Sequence, residues 1–477
     1  MHWHGYGSIG AEHPVIWSNA GKYTAADYGF SGSSHYRHHW GHQRSALRFR
    51  PTASRRRTDP SKSKDNLDMD RDKHTFLAFE PAIHRYAGGI RTAGVSILFV
   101  ISIVSGSAYA GVPVHPGDNL QALVDQYPNG TEFDLKAGFY YGQTILPKDN
   151  DSFIGDPGAV LDGQNSRSYA FVYDDSIRHP SNVTISGLTI QHYTTPNRRG
   201  AILGMNTRNW QVSNNEIRSN GWAGVECGPG MRVFGNYVHD NGGAGIIGYM
   251  ATGSIIDNNE VAYNNTSYVD PNTANGGSSG IKFFQSNNVV VRNNNVHGNY
   301  YAPGIWFDTD TANALIDNNY VWNNGWSGIV VETSLGAIVR NNTIIGNGIG
   351  YGYGTPGIAG AGIFLSATSY VQVYNNTVWY NQNGIVGIEQ NRGAGIQGTW
   401  HLRYNYVHDN RVSLFSGTTG LVADNGDNTI FTDNIFWNNT YYLRPDGHPL
   451  GWNGIWMNWF QWAQTHGPTE IFIFQAY

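Results

Sequence analysis

Cysteine is nearly missing from this chain of 477 residues: Cys227 stands alone, which excludes an internal disulfide framework and a cysteine-built zinc centre. Charge is scarce as well. Asp, Glu, Lys and Arg make up 14% of the residues and the formal net charge is -5, so no basic field exists to draw nucleic acid or an anionic membrane. Long apolar runs are absent but for AGVSILFVISIV at 93–104, about 12 residues where a membrane-spanning helix needs roughly 20. In their place stand 60 glycines and an aromatic content of 13%, the composition of an ordered chain rich in turns and short strands.

The one apolar run has the form of an export signal. Arg85 and Arg91 precede it, and SGSAYA follows, with Ala108 and Ala110 forming a small-residue cleavage site. Residues 85–110 are therefore read as a signal peptide, and the mature protein as secreted, periplasmic or extracellular, with no membrane contact after cleavage. Residues 1–84 carry half of the 18 histidines and the basic run SRRRTDPSKSK without apolar periodicity. They are expected to be disordered or to lie upstream of the true start, with Met69 as a candidate initiator.

From Gly111 the character changes. GDNLQALVDQY (117–127) is expected to form a short helix capped by Asp118, with Leu120, Leu123 and Val124 on one face. A repeat then sets in: NNEIRSNG (214), GNYVHDNGG (235), NNEVAYNN (258), NNNVHGN (293), NNYVWNNG (318), NNTIIGNG (341), NNTVWYNQNG (375), YNYVHDN (404) and DNIFWNN (433). Steps of 21 to 25 residues, interrupted by longer ones, mark a solenoid whose loops vary on one side. Short Val, Ile and Tyr runs broken by Asn and Gly fit three short parallel strands per turn. Asn recurring at one place tolerates left-handed backbone and offers an amide to the coils above and below.

With these repeats, residues 112–445 resemble the right-handed parallel β-helix proteins of the pectate-lyase-like superfamily. The fold expected is all-β: a single-chain, three-sheet solenoid over 111–445 with a short N-terminal capping helix. The Trp-rich segment 446–477, with PLGWNGIWMNWFQWAQTHG, is expected to be a strap over the last coil and to be incomplete. That architecture alone does not choose among lyases, hydrolases, epimerases and adhesins.

Function must come from side chains. Six segments align on a strand-opening glycine: GVECG (224), GIIGY (245), GIKFF (280), GIWFD (304), GIVVE (328) and GIFLS (362). Residues one and three after the glycine, such as Ile305 with Phe307 and Ile329 with Val331, form an apolar set and are assigned to the core. Residues two and four then point outward: Glu226, Tyr249, Lys282, Phe284, Trp306, Asp308, Glu332 and Phe364 form an exposed strip in which aromatic faces adjoin ionisable groups. Such a strip suits a sugar ring, so a polysaccharide or oligosaccharide is the expected partner.

Asp308 and Glu332 hold equivalent places in coils ~4.8 Å apart, where like charges repel and two carboxyls should not both ionise normally. One coil spacing also supplies the ~5 to 5.5 Å separation of a retaining glycosidase pair, which needs no cofactor. The GIWFD segment followed by VVE locally resembles β-helix glycoside hydrolases of the β-xylosidase kind; that resemblance implies Asp308 as nucleophile and Glu332 as acid/base. Two alternatives remain open. Asp310 joining Asp308 and Glu332 would offer calcium an oxygen cluster, with Lys282 as base, in a polysaccharide lyase or uronate epimerase. The third is a non-catalytic glycan-binding or adhesive solenoid. His239, His297, Trp322, Trp379, His408 and Trp437 are read as one structural stripe along the outside.

Overall fold

The computed structural model describes residues 111–268, 278–349, 360–414, 417–444, 447, 449–452 and 454–474. The segment 1–84 and the stretch 85–110, expected to be a signal peptide, lie outside the described residues. Among the described residues the solenoid is built from three long sheets, the third of which begins only at Gly200. The first holds 13 strands from Val112–Val114 to Ile435–Trp437, and the second holds 13 from Gly138–Tyr141 to Ile471–Phe474. The third holds 11, from Gly200–Leu203 to Ile455–Met457, with an antiparallel pair only at its last step.

Alternation explains the core. In the third sheet Ile246, Ile281, Ile305, Ile329 and Ile363 stack in register, and Phe283, Phe307, Val331 and Leu365 stack beside them, all essentially sealed from solvent. Each such side chain contributes about 1.5–3 kcal/mol by leaving water. The opening glycines are demanded by packing: a Cβ on Gly304 would sit 2.5 Å from Val321 and 2.8 Å from the Asn324 amide.

The Asn-Asn pair divides two tasks between its members. The first Asn turns the corner in the left-handed region, with φ of 54° at Asn214, 55° at Asn258, 55° at Asn318 and 56° at Asn341. The second is buried and donates its Nδ2–H to the Oδ1 of the next coil's copy, as in Asn215 to Asn236, Asn259 to Asn294, Asn319 to Asn342 and Asn376 to Asn410, each 3.0 Å. A parallel ladder starts at Asn220 and runs through Asn241, Asn264, Asn299, Asn324 and Asn347 to Asn381. Buried amides satisfied in this way stabilise the fold; left unmatched they would cost it.

Two expectations are corrected in register. YNYVHDN and DNIFWNN are not further copies of the preceding corner: Tyr406–His408 pairs with Gln372–Tyr374 and with Ile435–Trp437 in the first sheet, not with Thr377–Trp379 in the second. The outer stripe is accordingly two stripes, one with His297 stacked on Trp322 at 4.3 Å and one with His408 stacked on Trp437 at 4.2 Å. The capping helix Leu120–Gln126 is present, but its cap is Asn119, whose side chain accepts from the Ala122 N–H at 3.1 Å. Asp118 instead accepts from the His115 N–H at 2.7 Å, because it lies one residue too early to face the helix.

Beyond residue 445 the second sheet gains one more strand, Ile471–Phe474 against Thr440–Leu443. The helix Trp459–His466, closed by a capping box between Asn458 and Gln461, presses Trp462 onto Phe436, Tyr441 and Trp452. This plugs the end of the core.

Candidate active site

The third sheet differs from the other two in what lies outside it. Its outward residues were expected to be exposed, yet Glu226, Lys282, Trp306, Asp308, Glu332 and Phe364 are all buried. Only Tyr249 and Phe284 are half-open to solvent, and they stack on each other at 4.9 Å. The reason is a cover assembled from distant loops. Trp326 lies 6.2 Å from the Trp306 ring and 5.8 Å from that of Phe364, and residues 390–400 fold back over Asp310 and Glu332.

Strand register brings the acids together. Phe307 pairs with Val331, so Asp308 and Glu332 are the next residues along two neighbouring strands. Phe284 is level with Asp308 on the other side, and Lys282 with Trp306. From there the Lys282 ammonium reaches diagonally to Asp308 Oδ2 at 2.8 Å and sits 3.1 Å from the centre of the Trp306 ring. Asp308 Oδ1 accepts from the Thr309 N–H at 2.8 Å and hydroxyl at 2.9 Å, and from the Thr333 hydroxyl at 3.3 Å. Glu332 Oε2 accepts from the Trp306 indole N–H at 3.1 Å, and its Oε1 is ion-paired with Arg392.

These surroundings push the two acids apart. Burial would raise Asp308, but the adjacent Lys282 charge, its hydrogen bond and the Thr309 hydroxyl together hold the carboxyl below the usual aspartate range. Burial raises Glu332, Arg392 opposes the rise, and the Asp308 charge adds to it, leaving the group above the usual glutamate range. Burial lowers Lys282 while Asp308 resists the change. The mutual repulsion expected from sequence is thus met by side-chain cations, Lys282 and Arg392, with Arg198 adding a further charge felt by Asp308.

Calcium fits this set poorly. Asp308 is engaged by an ammonium and a hydroxyl, Glu332 by a guanidinium and an indole, and Asp310 Oδ1 accepts the Ile396 N–H at 3.0 Å and the Trp400 indole N–H at 3.3 Å. A cation would have to displace donors that already occupy these oxygens. Glu389, His401 and Asp427 also converge, with ligand atoms within 4.8 Å of one another, but Asp427 is held by Arg403 at 3.0 Å and Glu389 by the Leu402 N–H.

Glu226 is brought to the same sheet but not to the acids. Its register partners are Leu203 and Ile247, and Arg199 contacts it at 2.7 Å. Burial carries its carboxyl to about 7 despite the pull of Arg199. Sequence reasoning missed Arg392, Arg198, Trp326 and the threonines around Asp308. Trp326 and Thr333 flank the GIVVE segment and were within reach of the coil alignment; Arg392 lies 60 residues from Glu332 in a Gly-rich insertion that shows no repeat signal.

Similarity to known proteins follows the architecture. The family described as right handed beta helix region matches residues 199–378. No curated protein matches the chain in sequence. Among solved structures, the A-module of the mannuronan C-5 epimerase AlgE6 of Azotobacter vinelandii superposes with a TM-score of 0.52 at 18% identity, covering 74% of this chain and 92% of that one. A mannuronic acid specific polysaccharide family 6 lyase from human gut microbiota gives 0.46 at 11% identity, covering 77% and 92%. XylC in complex with xylose gives 0.45 at 14%, covering 64% and 54%. The register, the stacked parallel sheets and the family match over the central coils agree: this chain is a right-handed parallel β-helix protein.

Proposed function

We propose that the protein is an exported glycoside hydrolase acting with retention on a polysaccharide or oligosaccharide. The observation that carries this reading is the split between Asp308 and Glu332, neighbours in register whose surroundings keep one ionised and the other inclined to hold its proton. Asp308 would attack the anomeric carbon to form a glycosyl ester while Glu332 gives its proton to the departing oxygen; Glu332 then takes a proton from the water that cleaves the ester. Trp306, Trp326 and Phe364 supply the apolar surface a sugar ring packs against.

A second reading is favoured by one contact. Lys282, lowered by burial and 2.8 Å from Asp308, is the kind of amine that abstracts the C5 proton of a uronate. The name of one structural neighbour, a mannuronan C-5 epimerase, points the same way. Product analysis by mass spectrometry on neutral and uronate glycans separates the readings. Hydrolysis adds water, elimination leaves an unsaturated sugar, and epimerisation changes neither mass nor chain length. Azide rescue of Asp308→Ala supports the nucleophile role; an unsaturated product overturns the hydrolase reading. Export is tested by N-terminal sequencing of the secreted chain, expected to begin at Gly111.

A further inference from the structure

Residues 390–400 leave the third sheet after Asn383–Glu389 and return before Leu402, with a small antiparallel hairpin, Ala394–Gly395 against Gly398–Thr399, at the tip. The base of this excursion is fastened by Glu389, which is wholly buried and accepts from the Leu402 N–H and from the Asn425 amide at 3.2 Å, with the His401 ring at 3.1 Å. The tip is fastened by Asp310, 86 residues away in sequence, through the Ile396 N–H and the Trp400 indole N–H. Gly395 allows the approach, since a Cβ there would lie 1.9 Å from Asp310 Oδ1. Between the two anchors, Arg392 meets Glu332.

We propose that Asp310 is a latch and Arg392 a positioning residue: by holding the hairpin tip, Asp310 fixes the guanidinium against Glu332 and so sets the protonation and orientation of that carboxyl. This gives Asp310 a role other than metal ligation, and gives the hairpin a part in the chemistry beyond covering it. The groups facing Glu332 are Arg392 from the hairpin, Asp308 and Trp306 from the preceding coil, and Lys282 from the one before. Arg392 is the cation among them carried by a segment outside the stacked coils. The inference rests on the hydrolase reading only for the name of Glu332's task; the coupling itself is a property of the protein without substrate.

The test is a double-mutant cycle read by carboxyl-carbon NMR of Glu332 across pH. Arg392→Met keeps the cover but removes the charge, and is expected to raise the Glu332 titration midpoint by about one unit or more. In an Asp310→Ala background the same Arg392→Met change is expected to move the midpoint by less than half as much, because the guanidinium is no longer held in place. Trp400→Phe, which breaks one latch bond and leaves Asp310 in place, should reduce the coupling to an intermediate extent. Full coupling retained in Asp310→Ala and Trp400→Phe overturns the proposal. Should Asp310→Ala fail to fold, the Trp400→Phe result decides alone. Product analysis addresses the reaction separately, so a failed hydrolase reading and a failed latch give different results.

Discussion

The strands Tyr320–Trp322 and Ile305–Asp308 come from one coil and both turn apolar residues inward, yet only one of them has its outward residues buried as well. In the second sheet Val321 is buried while Tyr320 is exposed, the pattern of a face left to water. In the third sheet Ile305, Trp306, Phe307 and Asp308 are all buried. The repeat supplies the same frame to both, and the loops decide which outer face is taken out of solvent. A covered face lets two carboxyls and a lysine act on one another at low dielectric, where an open face would screen them.

The comparison can be broken most severely from the inside. Ile329→Asp places an unpaired charge in the stack shared by all coils and is expected to unfold the solenoid, seen as loss of the cooperative circular-dichroism melt. Asp308→Asn comes next. Viewed from sequence it relieves repulsion, but the structure makes it remove the carboxylate paired with a buried ammonium, so a loss of about 3–5 kcal/mol is expected, alongside the loss of activity that the proposed nucleophile role implies. Asp308→Asn combined with Lys282→Met should recover much of that stability, measured by denaturant titration, without recovering turnover.

Glu226 tests the covered face by pH. Its folded value of about 7 lies above the ordinary 4.5, so the folded state binds the proton more tightly than the unfolded chain does. The stabilisation is complete below about 4.5 and is lost as pH rises through about 7, a span worth about 3 kcal/mol. Glu226→Gln should flatten this part of the stability profile. Asn319→Ala, which takes the Oδ1 acceptor away from the Asn294 backbone N–H, is expected to cost about 1–3 kcal/mol in the same assay. Tyr320→Asp on the open second sheet should stay within about 0.5 kcal/mol.

The parts of this molecule legible in the sequence are those the repeat writes more than once. The inward Ile and Val positions, the turn asparagines and the adjacency of Asp308 and Glu332 all follow from aligning coils, because parallel in-register stacking converts equal sequence position into spatial contact. The register of Tyr406–His408 escaped because its Tyr-Asn start imitates the Asn-Asn corner while lying one sheet earlier. Burial of Lys282 and Trp306 escaped for a different reason: alternation tells which side of a strand a residue takes, not what a remote loop lays over it. Arg392 belongs to such a loop, and no periodicity announces its arrival at Glu332.

The asparagine ladder makes that loop affordable in evolutionary terms. Successive rungs are separated by 21 residues between Asn215 and Asn236, 23 between Asn236 and Asn259, 35 between Asn259 and Asn294, and 34 between Asn342 and Asn376, yet every rung keeps its 3.0 Å bond. The ladder measures turns rather than residues, and the entropy of a longer detour rises only slowly with its length. New segments can therefore be spliced into one coil and tried over the third sheet while its neighbours keep their spacing. A chain built this way can change what it recognises without having to fold anew.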